Sequence, residues 1–131
     1  MNKRRLLKLA DLLEADAKNK KGIRFDMGRW GFVLDEKQPL SCGTSACAMG
    51  LAALSGTFKR AGLGTKIEYR FLRFTWNGRV VNGHTAGRRL FQIKESESFK
   101  LFGGDDRLTE GAAAERAKAK QIRKFVKTGK L

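Results

Sequence analysis

Lys66-Ile67-Glu68-Tyr69-Arg70-Phe71-Leu72-Arg73-Phe74-Thr75-Trp76-Asn77-Gly78-Arg79-Val80-Val81 is the stretch on which the fold class turns. Ile67, Tyr69 and Phe71 recur at every second position, the period of a strand, and Phe74 and Trp76 resume the alternation one residue out of step. A bulge near Leu72 or Arg73 repairs the register. Asn77-Gly78 then supplies the two positive-φ positions of a type I′ turn, and Arg79-Val80-Val81 returns as the partner strand. The reading is a basic, aromatic antiparallel hairpin over about 66–81.

On either side the apolar spacing lengthens to three and four. Leu6, Leu9, Ala10, Leu13 and Ala17 form one stripe, which predicts an amphipathic helix over 3–18 with Asn2 as its cap and a left-handed glycine stop at Gly22. Thr109 reads as the cap of a C-terminal helix over about 109–128, with Gly129 after it and Ala112, Ala119, Ile122, Phe125 and Val126 facing the core. Ser41 to Gly56 is apolar nearly all round, which predicts a buried helix over about 45–55. Its Ala46, Ala48, Gly50, Ala52 and Ala53 let other elements approach closely, and Met49, Leu51 and Leu54 fill the remaining volume. Ile23–Met27 reads as a short extended piece and Phe58–Leu63 as a helical turn ending at Gly64. Thr85–Ile93 reads as a helix or a strand, and Ser96–Phe102 as a short helix. Helices packed around an antiparallel hairpin make an α+β fold, and 131 residues suit one domain spanning 1–131.

With 41% hydrophobic residues and one proline, the chain falls outside the collagenous, mucin-like and wholly disordered classes. No apolar run approaches the ~18 residues of a membrane span. Met1-Asn2-Lys3-Arg4-Arg5 leads into leucines interrupted by Lys8, Asp11 and Glu14, unlike a signal peptide, so a cytoplasmic location is expected, the host cytoplasm if the gene is phage-borne. Two cysteines do not make a disulfide scaffold.

Charge gives the strongest functional signal. Twenty-eight Lys and Arg against thirteen Asp and Glu leave +15, a surplus that repels itself and attracts polyanions. Residues 57–94 hold nine of the basic residues and one acid, whereas 25–56 are close to neutral. In the C-terminal helix Arg116, Lys120, Arg123, Lys124 and Lys127 line up opposite the apolar stripe as a basic ridge. In the hairpin, Arg70, Arg73 and Arg79 interleave with Tyr69, Phe71, Phe74 and Trp76, which suits guanidinium contacts to phosphate and ring stacking on bases, although alternating aromatics also serve as ordinary core. The expected phosphate contacts are Arg70, Arg73, Arg79, Arg88, Arg89, Lys120, Arg123, Lys124 and Lys127, with Tyr69 or Trp76 stacking. No helix-turn-helix, zinc-finger, RNP or KH pattern is legible, so backbone-dominated, salt-sensitive binding is expected.

Cys42-Gly43-Thr44-Ser45-Ala46-Cys47, read at a helix start, invites a nucleophile, because amides there favour a thiolate. His84 is the one histidine to serve as base, with Asp26, Asp35 or Asn82 to orient it. The plainer reading makes Cys47 a small buried apolar residue and Gly43-Thr44-Ser45 capping chemistry. Cys42, Cys47 and His84 fall short of four zinc ligands, and Gly62-Leu63-Gly64-Thr65-Lys66 lacks phosphate-loop spacing, so no metal or cofactor is expected. Asp105-Asp106 reads as a solvated turn.

The Leu-rich N-terminal helix, Arg24-Phe25-Asp26-Met27-Gly28-Arg29-Trp30, Cys42-Gly43-Thr44-Ser45-Ala46-Cys47-Ala48-Met49-Gly50 and the closing Thr109…Ala113…Arg116…Ile122…Phe125…Gly129 pattern resemble a loose family of small uncharacterised bacterial and phage proteins. These pieces cover about half the chain, and the resemblance implies a phage-related context without an activity. The basic Lys59–Lys94 region departs from that family's pattern. The expected function is therefore a non-catalytic, phage-related binding protein engaging nucleic acid or a host nucleoprotein complex through the basic hairpin and the C-terminal ridge. Two alternatives are an inhibitor of a host defence or nucleic-acid-processing enzyme, and a cysteine-dependent enzyme using Cys42 or Cys47 with His84.

Overall fold

The computed structural model describes residues 1–103 and 110–131. It is an α+β fold of five α-helices and a mixed six-stranded sheet. The chain runs α1 (Lys3–Lys18), β1 (Arg24–Phe25), β2 (Gly31–Val33), β3 (Thr44–Ala46), α2 (Ala48–Leu54), β4 (Leu63–Glu68), β5 (Phe71–Trp76), β6 (Arg79–Val81), α3 (Gly83–Phe91), α4 (Glu95–Phe102) and α5 (Gly111–Thr128). Among the described residues, no helix is long and apolar enough to cross a membrane.

The sheet order is β1-β3-β2-β5-β4. β1 runs parallel to β3 and the other pairs are antiparallel. One edge of β5 pairs with β4 along its whole length. The other edge is shared, with β2 meeting it at Phe71 and β6 across Phe74–Trp76. Helices cover one face only, where Leu63, Leu72 and Phe74 are buried beneath α2 and α3.

α1 forms where its leucine stripe predicts. Asn2 Oδ1 accepts from the Arg5 amide at 3.1 Å, and Leu6, Leu9, Ala10 and Leu13 are fully buried. They lie in one core with Ala119, Ile122 and Phe125 of α5, the helix against which α1 packs most extensively. At its other end α1 stops at Asn19 in an extended conformation, three residues before the expected glycine.

The predicted buried helix over 45–55 splits in two. Thr44–Ala46 is a strand because β1 and β2 flank it on both sides, and Cys47, also extended, caps the helix that follows. The small residues serve the expected purpose. A Cβ on Gly50 would collide with the Trp30 carbonyl oxygen, so α2 lies directly against that backbone.

The predicted strand over 66–76 with a bulge is instead a tight hairpin. Tyr69 and Arg70 both take positive φ, 51° and 72°, the geometry of a type I′ turn, and this turn absorbs the change of phase. The Arg70 carbonyl accepts from the Val33 amide at 2.7 Å, which ties the turn to β2. Asn77-Gly78 makes the expected second turn, and β4, β5 and β6 together form a three-stranded meander.

Smaller corrections follow the same logic. Lys59–Ala61 is a single 3-10 turn, ended by Gly62 at φ 115°, so Leu63 and Gly64 belong to β4. Thr85–Ile93 resolves as helix, with Asn82 Oδ1 accepting from the Thr85 amide at 2.8 Å to cap it. α5 begins at Gly111, and Ala112 is exposed while Ala114 takes the core position. Thr109 and Asp105-Asp106 lie outside the described residues.

Candidate nucleic-acid interface

Residues paired directly across strands point to the same face of a sheet. Arg24 and Phe32 both pair with Ser45, Phe32 pairs with Phe71, Phe71 with Glu68, and Arg73 with Lys66. Alternation along β5 places Phe71 and Arg73 together and turns Leu72 and Phe74 to the helices. Arg24, Phe32, Phe71, Arg73 and Lys66 therefore share the face that carries no helix.

Two aromatic rings sit in the middle of this face. Phe32 and Phe71 meet edge to face at 5.3 Å, and Phe71 is 58% exposed. Phe32 is half-buried, and leaving that much of the Phe71 ring in water forfeits roughly 25 cal/mol for each Å² left uncovered. The Arg29 guanidinium lies 5.5 Å from the Phe32 ring centre, and Tyr69, at the hairpin tip beside Arg70, is 94% exposed. Glu68 answers part of the charge, reaching Lys66 at 3.2 Å and Arg73 at 3.7 Å. These ion pairs are exposed enough that a phosphate can replace them at little cost.

The open face continues into a groove of about 830 Å³ beside β1, lined by Arg24, Arg29, Phe32, Ser45 and Cys42 and, at the junction of α1 and α5, by Asp16 and Glu115. Glu115 is 1% exposed, and its carboxyl lies close enough to that of Asp16 to feel its charge. Two carboxyls buried side by side cannot both ionise without repelling each other. Burial and the neighbouring Asp16 push Glu115 up to about 9, so it carries a proton at neutral pH.

The expected site residues do not all gather here. Arg70 and Arg73 lie at the hairpin tip and on the open face. Trp76 pairs with Leu63 and Arg79 on the helical side and packs half-buried against the core, which removes it as a stacking platform. Arg79 is exposed at the far end of the meander, and Arg88 and Arg89 are exposed on α3. Lys120, Lys124 and Lys127 are exposed on α5, but Arg123 is drawn out of that ridge. Its guanidinium donates to Asp11 at 2.6 Å and to Glu14 at 2.8 Å, fastening α5 to α1. Phe32, Arg24, Arg29 and Lys66 are not among the residues expected from sequence, and Phe71 stands there only among the interleaved aromatics, behind Tyr69 and Trp76 as the expected stacking rings. The parity of Phe71 relative to Leu72 and Phe74 was the available signal.

Among the described residues, neither thiol makes a contact with the imidazole. Cys42 is exposed in the groove, whereas Cys47 is buried with its thiol pushed up to about 11 by desolvation, the reverse of an activated nucleophile. His84 is held between Trp30 and Phe99, with Nδ1 3.4 Å from Ser98 Oγ, and burial lowers its pKa. Among the described residues, no group of three or more His, Cys, Asp and Glu is placed to hold a metal ion. In comparisons with known proteins the chain matches no protein-family model, no curated protein and no solved structure.

Proposed function

We propose that this protein binds single-stranded nucleic acid, without catalysis, on the open face of its sheet. The observation that carries the reading is the exposed Phe71 ring, edge to face with half-buried Phe32, set among Arg24, Arg29, Lys66, Arg70 and Arg73. Aromatic faces stack on bases only where those bases are unpaired and splayed, and the surrounding cations follow the phosphates on either side. The net charge of +15 supports the same partner class.

Fluorescence anisotropy with labelled 12-mer RNA and DNA, single and double stranded, tests the reading. Each base stack is worth about 1–3 kcal/mol, so F32A/F71A should weaken single-strand binding by at least about tenfold. R24E/R29E/R73E should make the salt dependence shallower, since fewer phosphates are neutralised. Undiminished affinity in F32A/F71A, or a preference for duplex, would overturn the assignment.

A further inference from the structure

A second basic surface lies on the helical side of the molecule. Between the N-terminal half of α1 and residues 57–61 runs a cleft of about 890 Å³ whose walls include Arg4, Arg5, Lys8 and Arg60. Arg5 is committed to the fold, since its guanidinium donates to the Leu90 carbonyl at 2.9 Å. Asp11, the acid in the lining, is held by Arg123 at 2.6 Å. Arg4, Lys8 and Arg60 are exposed, and among the described residues none of them makes an ion pair. The first turn of α1 contains no acidic residue, although the positive end of a helix dipole favours acids there and disfavours cations. Lys3, Arg4 and Arg5 occupy that turn instead. Arg4, at the helix end that disfavours it, and Lys8 and Arg60 beside it are three unanswered cations around one cleft, whose electrostatics improve when a polyanion enters.

We infer that this cleft holds the phosphate backbone of a second nucleic-acid segment, so that one molecule bridges two strands. The inference rests on the proposed nucleic-acid reading and extends it. The cleft belongs to the helical layer, because α1 packs on α2 and α3, which cover the buried face of the sheet. Phe32 and Phe71 lie on the opposite face. The cleft offers cations without exposed rings, so it grips backbone and leaves bases unread, while the sheet does the stacking.

A capture experiment separates the two claims. A biotinylated single-stranded 20-mer on beads is loaded with protein and washed, retained protein is measured, and a fluorescent 20-mer of the same sequence is added. Wild type should be retained and should capture the second strand. R4Q/K8Q/R60Q, checked for an unchanged thermal melt, should be retained on the first strand within about threefold of wild type and capture at least tenfold less of the second. Capture undiminished in R4Q/K8Q/R60Q means that bridging arises elsewhere, through self-association or the α5 lysines, and overturns the inference. Wild type that is retained but captures nothing overturns it as well. Wild type that is not retained at all overturns the nucleic-acid reading, and the inference falls with it.

Discussion

Replacing Glu115 by Gln should stabilise the protein at neutral pH and flatten its pH dependence. Glu115 is 1% exposed, and its carboxyl is pushed from 4.5 up to about 9 by burial and by Asp16. A carboxyl whose folded pKa exceeds its unfolded one binds a proton that the unfolded chain has released. Its favourable contribution is complete below about pH 4.5 and is lost as pH rises toward about 9. One pH unit is worth about 1.4 kcal/mol, so by pH 7 the native state has lost about 3 kcal/mol relative to pH 4 on this account. Glutamine keeps the shape and has no proton to surrender. Urea unfolding of wild type and E115Q from pH 4.5 to pH 9 measures the difference directly. The two curves should nearly coincide at the acid end and diverge by about 2–3 kcal/mol at pH 7, with E115Q the more stable. A constant offset across the range, or a less stable E115Q at pH 7, would refute the raised Glu115 carboxyl.

Three further outcomes test other parts of the fold. Gly50→Ala drives a methyl into the Trp30 carbonyl oxygen inside the core, and should cost about 3 kcal/mol, lowering Tm by roughly 10 °C in a circular-dichroism melt; a change under 2 °C would contradict the close approach of α2. Iodoacetamide at pH 7.5 should alkylate exposed Cys42 and leave buried Cys47 untouched until denaturant is added, and equal rates in the native protein would contradict the desolvated thiol. Arg123→Ala should cost about 1 kcal/mol at low salt, because the pairs it makes with Asp11 and Glu14 are partly exposed. Arg123 holds the Glu14 carboxyl below its ordinary value, so that stabilisation is present above about pH 4.5 and fades below it, and the gap between variant and wild type should narrow in acid and in 1 M NaCl.

What could be read from the chain divides by how local the determining interactions are. α1 announces itself because Leu6, Leu9 and Leu13 repeat over four turns behind an Asn2 cap, and Asn77-Gly78 because those residue types accept positive φ without strain. The Tyr69-Arg70 turn was invisible for the opposite reason. Neither residue favours positive φ, and the turn is imposed by the Val33–Arg70 hydrogen bond and the Phe32–Phe71 pairing, which come from far along the chain. Thr44–Ala46 is three residues long, too short for periodicity to show, and exists as a strand only because two neighbours flank it. The candidate interface inherits these gaps. A bulge in place of a turn makes Tyr69 and Trp76 the rings expected to stack. The true register turns Trp76 toward the core and brings Phe71 beside Phe32 on the open face. The basic ridge on α5 was legible as a charge pattern, but the loss of Arg123 to Asp11 and Glu14 depended on how α1 packs.

Photocrosslinking a single-stranded RNA containing 5-iodouridine, followed by mass-spectrometric mapping of the adducts, tests the central claim most directly. Aromatic side chains that stack on the base are the preferred acceptors, so adducts should fall on Phe32, Phe71 or Tyr69 and disappear in F32A/F71A/Y69A while the remaining fold is intact. Adducts confined to α5 or scattered over the surface lysines would mean that the charge alone attracts nucleic acid and that the open sheet face is not where it binds.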